Sequence, residues 1–240
     1  MKTDIMGVLF DNFTVADTVE KAIQALDSKK PFFIVTPNPE IVNIAIQNHE
    51  YRDVLNSADI VTPDGIGIVY ASKIIGGEIK KRAAGFDIVK GILEKLNEKS
   101  GSVYLFGGKP SVAEIAAQKI SEEFPAIKIA GFHHGYFDDD AKIINDIKSK
   151  KPDLLLVCLG APKQEMWIYN NKDILNAGIM IGAGGSIDVL SGMTKRAPEI
   201  FIKLNLEWFY RLLNEPKRIG RMAKIPVFLL KVLFKRGLKK

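Results

Sequence analysis

Six short apolar runs, at residues 32–36, 59–62, 103–106, 127–132, 154–159 and 179–182, alternate with stretches of helical period. In those stretches Val19, Ile23 and Leu26 share one face, as do Ile88, Ile92 and Leu96, and Val112, Ile115 and Ile120. Runs that are short and apolar throughout read as strands buried on both faces. Strands alternating with amphipathic helices build a parallel sheet with helices on either side, so the chain is expected to be α/β. Thr14-Val-Ala-Asp17 has the form of a capping box, and Pro110 or Ser111 opens a later helix. Strand order is not written in this pattern.

Charge divides the chain in two. Residues 1–194 carry a net charge of −4 and residues 195–240 carry +10, together the +6 of the whole. The composition shift places a core at 1–194 and a basic, amphipathic helical appendage at 195–240. That appendage also holds Phe201, Leu204, Trp208, Phe209, Leu212, Leu213, Phe228, Leu230, Leu233 and Phe234. Nucleic-acid tails are basic and polar, whereas helices that lie on membranes are basic and greasy. An anionic membrane surface is the expected partner, and nucleic acid is not. The longest apolar run there, residues 227–230, is far short of the ~20 residues that span a bilayer. The lone Cys158 falls in an apolar run and reads as a core residue, which excludes a disulfide framework and fits a reducing cytoplasm. Met1-Lys-Thr-Asp4 leads into a strand with no signal-peptide core. The expected location is the cytoplasm, peripheral on the inner face of the membrane.

In an open parallel sheet, ligands bind beyond the carboxyl ends of the strands. The segments that follow these six strands are rich in Gly, Pro and polar groups. They are Thr36-Pro-Asn-Pro-Glu40, Thr62-Pro-Asp-Gly-Ile-Gly67, Gly107-Gly-Lys-Pro110, His133-His-Gly-Tyr-Phe-Asp138, Gly160-Ala-Pro-Lys-Gln-Glu165 and Gly182-Ala-Gly-Gly-Ser-Ile-Asp188. Glycine lets backbone N–H groups approach a ligand, and a helix N-terminus favours a phosphate. Loops of this kind on one edge make a Rossmann-like sheet that binds a nucleotide or a sugar nucleotide.

Other phosphate and metal motifs fail. Gly182-x-Gly184 lacks the third glycine of a dinucleotide fingerprint, since Ile187 stands there, which disfavours a nucleotide-dependent oxidoreductase. Lys109 is followed by Pro110 and not by Ser or Thr, so there is no P-loop. No His and Cys cluster has zinc spacing, and His133-His134 reads as loop chemistry. Asp138-Asp-Asp140 has two readings, a metal grip or the acidic start of a helix.

The same segments carry a resemblance. Thr36-Pro-Asn-Pro-Glu40, Thr62-Pro-Asp-Gly-Ile-Gly67, Leu105-Phe-Gly-Gly-Lys-Pro110, His134-Gly-Tyr-Phe137 and Gly160-Ala-Pro-Lys-Gln-Glu-x-Trp167 are similar to the WecG/TagA/CpsF family, glycosyltransferase family 26. So are Gly184-Gly-Ser-x-Asp-Val-Leu-Ser-Gly192, Arg196-Ala-Pro198, Leu206-Glu-Trp-x-Tyr-Arg-Leu-Leu213 and Glu215-Pro-x-Arg218. The likeness runs from about residue 5 to the C-terminus and is strongest to the teichoic-acid linkage enzymes. It implies inverting transfer of N-acetylmannosamine from its UDP-sugar to undecaprenyl-diphosphate-linked N-acetylglucosamine, with no essential metal or cofactor. A related UDP-sugar, or a non-catalytic nucleotide-binding module at the membrane, are the alternatives.

Inverting transfer needs a base beside the acceptor hydroxyl. Asp64, just after the strand at 59–62, matches the family's proposed base; its other reading is the cap of the next helix. Asp11, Asp87 and Asp188 are rival carboxylates. Thr36 and Asn38 offer a hydroxyl and an amide to a sugar, or simply form a turn. The resemblance favours Gln164 as a sugar contact, with Glu165 less clear. Asp188 suits the uracil N–H, and Tyr136 packs on the base or in the core. Charge growing on the departing diphosphate calls for cations, and Arg82 matches a family position facing the site. Arg211, Arg218 and Arg221 fall near one helical face, to grip a diphosphate or to reach lipid headgroups.

Overall fold

The computed structural model describes residues 2–214, 220 and 224–237. A short antiparallel hairpin comes first, with strands β1 (Thr3–Ile5) and β2 (Val8–Phe10). Its two-residue turn places both Met6 and Gly7 at positive φ, the geometry that matches the twist of a hairpin. The sequence pattern gave no sign of this turn, because methionine is not a usual left-handed residue.

The main sheet holds the six strands expected from the apolar runs. They are β3 (Phe32–Val35), β4 (Ile60–Val61), β5 (Ser102–Gly107), β6 (Lys128–His133), β7 (Leu154–Cys158) and β8 (Ile179–Gly182). All pair in parallel, in the order β4-β3-β8-β7-β5-β6. The chain builds one edge with β3 and β4, crosses to the other with β5 and β6, then fills the centre with β7 and β8. Strand residues alternate between two cores with period two. Phe33, Val35, Leu155, Val157 and Met180 enter one, while Ile34, Leu154, Leu156, Ile179 and Ile181 enter the other.

Helices α1 (Val15–Asp27), α5 (Gly85–Glu98), α6 (Val112–Glu123) and α9 (Ser186–Leu190) cover the second core. The capping box at Thr14 and Asp17 opens α1 as expected. Helices α2 (Pro39–Gln47), α3 (His49–Asn56), α4 (Ile66–Ile75), α7 (Ala141–Lys150) and α8 (Lys163–Asn171) cover the first. Helices α10 (Glu199–Lys203), α11 (Glu207–Asn214) and α12 (Lys224–Gly237) follow.

α12 packs on α2 and α4. Its Phe228 and Val232, one turn apart, are fully buried among Ile41, Val42, Ala45, Ile68 and Ala71. The segment at 195–240, expected as an appendage, therefore supplies part of the first core. Val227, Leu230 and Phe234 on the same helix are exposed, as are Ile200, Leu204 and Leu213. Among the described residues no helix is long and apolar enough to cross a membrane.

Candidate active site

The carboxyl ends of the strands meet two recesses. The first, of about 180 Å3, lies between the loops after β3 and β4, the start of α5 and the C-terminal helices. Asn38, Glu40, Asp64, Arg82, Arg196 and Trp208 are among its walls. The second, open and about 750 Å3, lies at the ends of β5, β6 and β7, with Lys109, Tyr136, Asp138, Lys163 and Asp188 around it.

Asp64 does not cap α4. That cap is Gly65, at φ +89, which has no side chain to bond the helix start. Instead the Asp64 carboxylate accepts a hydrogen bond from Gly85 N–H, the first residue of α5, at 3.4 Å. Backbone bonds hold this arrangement: Asp64 N–H donates to Pro37 O, and Ala83 N–H donates to Pro63 O. The half-buried Asp64 thus points across the recess at the positive end of a 14-residue helix, where a carboxylate is favoured. Gly85 is needed there, because a Cβ would stand 3.0 Å from Thr36 Oγ1.

Asn38 lines the same recess, but its side-chain oxygen caps α2, accepting from Glu40 N–H and Ile41 N–H. Its amide nitrogen remains the group to offer a ligand. Thr36 is buried and lines neither recess; its hydroxyl donates to Gly182 O at 3.3 Å. Gln164 is also buried and lines neither. Its oxygen accepts from Gly160 N–H and Gly184 N–H at 3.1 Å each, and its amide donates to Glu165. Gln164 therefore pins two glycine loops together from below. Glu165 takes a second hydrogen bond from the Tyr51 hydroxyl, and burial raises its pKa.

Arg82 is not a free cation. Its guanidinium donates to the Glu207 carboxylate at 2.9 Å and to Ile202 O at 3.4 Å, both in the C-terminal segment. Asp87, a rival carboxylate from the sequence, pairs with Arg196, whose guanidinium lies over the Phe86 ring. Asp11, another rival, is buried beside β4 and accepts from Val61 N–H. Arg218 and Arg221 lie outside the described residues, as does the side chain of Arg211, whose backbone is in α11.

In the second recess Tyr136 is exposed and shares the wall with Asp188, so these two sequence candidates are brought together. Lys109 and Lys163 join them, and Lys163 sits over the Phe137 ring. Both lysines lie in the glycine-rich segments, but the sequence assigned neither a role in the site. Gly107, at φ +136, lets β5 end against β7, where a Cβ would be 2.3 Å from Cys158 O. Burial pushes the pKa of the Cys158 thiol up to about 12, which disfavours the thiolate. Asp139 accepts from Ala141 N–H and Asp140 from the Trp167 indole, so these two serve the start and packing of α7, while Asp138 stands at the second recess. Among the described residues, no group of three His, Cys, Asp or Glu is placed to hold a metal.

One recess thus holds a carboxylate at a helix start, and the other holds two lysines and an exposed aromatic ring. Comparison with known sequences places the chain in a family. The sequence model of the glycosyl transferase WecG/TagA/CpsF family matches residues 3–240. The chain belongs to the WecG/TagA/CpsF glycosyltransferase family. Among the family's curated members, N-acetylglucosaminyldiphosphoundecaprenol N-acetyl-beta-D-mannosaminyltransferase of Bacillus subtilis (strain 168) is 43% identical over 215 residues. That match covers 90% of this chain and 84% of the relative. The enzyme of the same name from Staphylococcus aureus (strain MW2) is 41% identical over 243 residues, covering 100% of this chain and 95% of the relative. A third, from Bacillus spizizenii, is 42% identical over 208 residues, covering 87% and 81%.

Proposed function

We propose that this chain transfers N-acetylmannosamine from UDP-N-acetylmannosamine to the N-acetylglucosamine of N-acetylglucosaminyl-diphospho-undecaprenol, with inversion. The observation that carries the proposal is the Asp64 carboxylate, set in a recess against Gly85 N–H at the start of α5. The relatives' shared name supplies the sugars and the lipid.

In this reading the nucleotide occupies the second recess, with Asp188 accepting from the uracil N–H and Tyr136 against the base. The acceptor sugar enters the first recess, and Asp64 takes the proton from its hydroxyl as that oxygen attacks the anomeric carbon. The bond from that carbon to the β-phosphate oxygen breaks on the opposite side, and UDP leaves. Lys109 and Lys163 line the nucleotide recess and are suited to the growing phosphate charge. Arg82 adds to this once its partner Glu207 gives way. Thr36 and Gln164 act from beneath, by fixing the loops around the sugars. The tail arginines Arg211, Arg218 and Arg221 are proposed to meet the acceptor's diphosphate. The exposed apolar face of α12 is proposed to rest on the anionic inner face of the membrane.

The test is UDP release on mixing the full chain, UDP-N-acetylmannosamine and a short-chain lipid-diphosphate N-acetylglucosamine. The expected result is release that needs both substrates and yields a disaccharide lipid. Binding of UDP with no turnover in the presence of acceptor and lipid would sink the proposal.

A further inference from the structure

Three buried polar side chains form an unbroken run of hydrogen bonds that ends on two glycine loops. Tyr51, Gln164 and Glu165 are each 2% exposed or less. The Tyr51 hydroxyl, on α3, donates to Glu165 Oε2 at 2.9 Å, and the Gln164 amide donates to Glu165 Oε1 at 2.7 Å. Gln164 Oε1 then accepts from Gly160 N–H and Gly184 N–H, each at 3.1 Å.

The direction of this run is fixed at Glu165. The oxygen and nitrogen of a side-chain amide are nearly the same size, so packing alone would accept either end. A carboxylate offers only acceptors; it takes the amide nitrogen and turns the amide oxygen towards the two glycines. The reverse orientation would set an NH2 group against two backbone N–H donors, a costly arrangement out of water. Space is tight here as well. A Cβ on Gly182 would lie 3.1 Å from Gln164 Nε2 and 3.3 Å from Glu165 Oε1.

The consequence depends on what the two loops carry. Gly160 lies three residues before Lys163, and Gly184 four before Asp188. Both of those side chains line the second recess, and neither lines the recess around Asp64. We infer that Glu165 and Tyr51 are positioning residues for the donor nucleotide, acting through Gln164. They hold the Gly160 and Gly184 loops at the separation that brings Lys163 and Asp188 to one ligand. A carboxylate is a costly group to bury in a core, and here it sets the orientation of an amide.

This inference rests on the reading of the second recess as the nucleotide site, and the experiment separates it from the transfer reaction. UDP binding is measured by calorimetry on the full chain. Steady-state kinetics use UDP-N-acetylmannosamine and a short-chain lipid-diphosphate N-acetylglucosamine. Glu165→Met fills the space but gives the amide no carboxylate to meet. It is expected to weaken UDP binding and raise donor KM about tenfold, with acceptor KM within about twofold. Glu165→Gln can accept from Gln164 and donate to the Tyr51 oxygen, and recovers most of that loss. Tyr51→Phe keeps the ring in the core and is expected to raise donor KM about threefold; it carries the test if Glu165→Met does not fold. Unchanged donor KM and UDP affinity in either folded variant overturn the inference. So does an equal rise in donor and acceptor KM, the mark of a general loosening, or a Glu165→Gln variant as impaired as Glu165→Met. A wild type that binds UDP without turnover, with the same losses of binding in the variants, sinks the transfer reading and upholds the inference. A wild type that does not bind UDP removes both.

Discussion

The Arg82 guanidinium donates to the Glu207 carboxylate at 2.9 Å, joining groups 125 residues apart, with both side chains largely out of water. The pair ties the loop before α5 to the start of α11. Breaking a buried pair by removing one partner leaves an uncompensated charge, whereas removing both does not. A double-mutant cycle of Arg82→Ala and Glu207→Ala, read by denaturant unfolding, is therefore expected to give a coupling of about 1–3 kcal/mol. Additive single effects would mean that the pair holds nothing.

Asp64→Asn keeps an oxygen for Gly85 N–H but cannot take a proton. Turnover is expected to fall by at least ~100-fold, the usual scale for a general base, while UDP binding and the melting temperature hold. Near-normal turnover in this variant would move the base elsewhere.

The two faces of α12 separate stability from membrane contact. Phe228 is fully buried, so Phe228→Ala is expected to destabilise the fold by about 3–5 kcal/mol in chemical denaturation. Phe234 is 74% exposed, and Phe234→Ser is expected to leave the melting temperature alone while weakening co-sedimentation with anionic vesicles. Deleting 195–240 removes Phe228 and Val232 from the core, so that truncation is expected to lower stability as well as activity.

Glu165 gives a pH signature. Burial raises its folded pKa above the unfolded value, so its stabilising contribution is complete below the unfolded pKa and is lost as pH rises through the folded one. Glu165→Gln retains an acceptor for Gln164 and has no charge to bury. The melting temperature of the variant relative to wild type is therefore expected to climb as pH rises above the ordinary carboxylate range. A constant difference through that rise would show that Glu165 does not change protonation on folding.

Much of the architecture was legible because its signals are local. Strands such as β7 and β8 are apolar at every residue, and that alone marks central strands of a covered sheet. The glycine-rich segments pointed to the carboxyl edge, where both recesses lie, and the sequence candidates Asp64, Tyr136 and Asp188 line them. Local chemistry was less informative about what each polar group touches. Asn38 and Gln164 were read for their ligand-binding atoms, yet their oxygens satisfy backbone N–H groups of α2 and of two loops. The same donors and acceptors serve either purpose, and only the neighbours decide.

The tail shows the division most plainly. The sequence by itself determined that residues 195–240 are basic and greasy, and that no apolar run there spans a bilayer, because charge and hydropathy are sums along the chain. Which of its apolar residues face the core, and which carboxylate meets Arg82, was decided by tertiary packing. Phe228 and Phe234 are equivalent by composition, but only Phe228 lies on the turn of α12 that fits between α2 and α4. Burial belongs to a three-dimensional surface, and that surface exists only once α2, α4 and the loops around Asp64 have assembled.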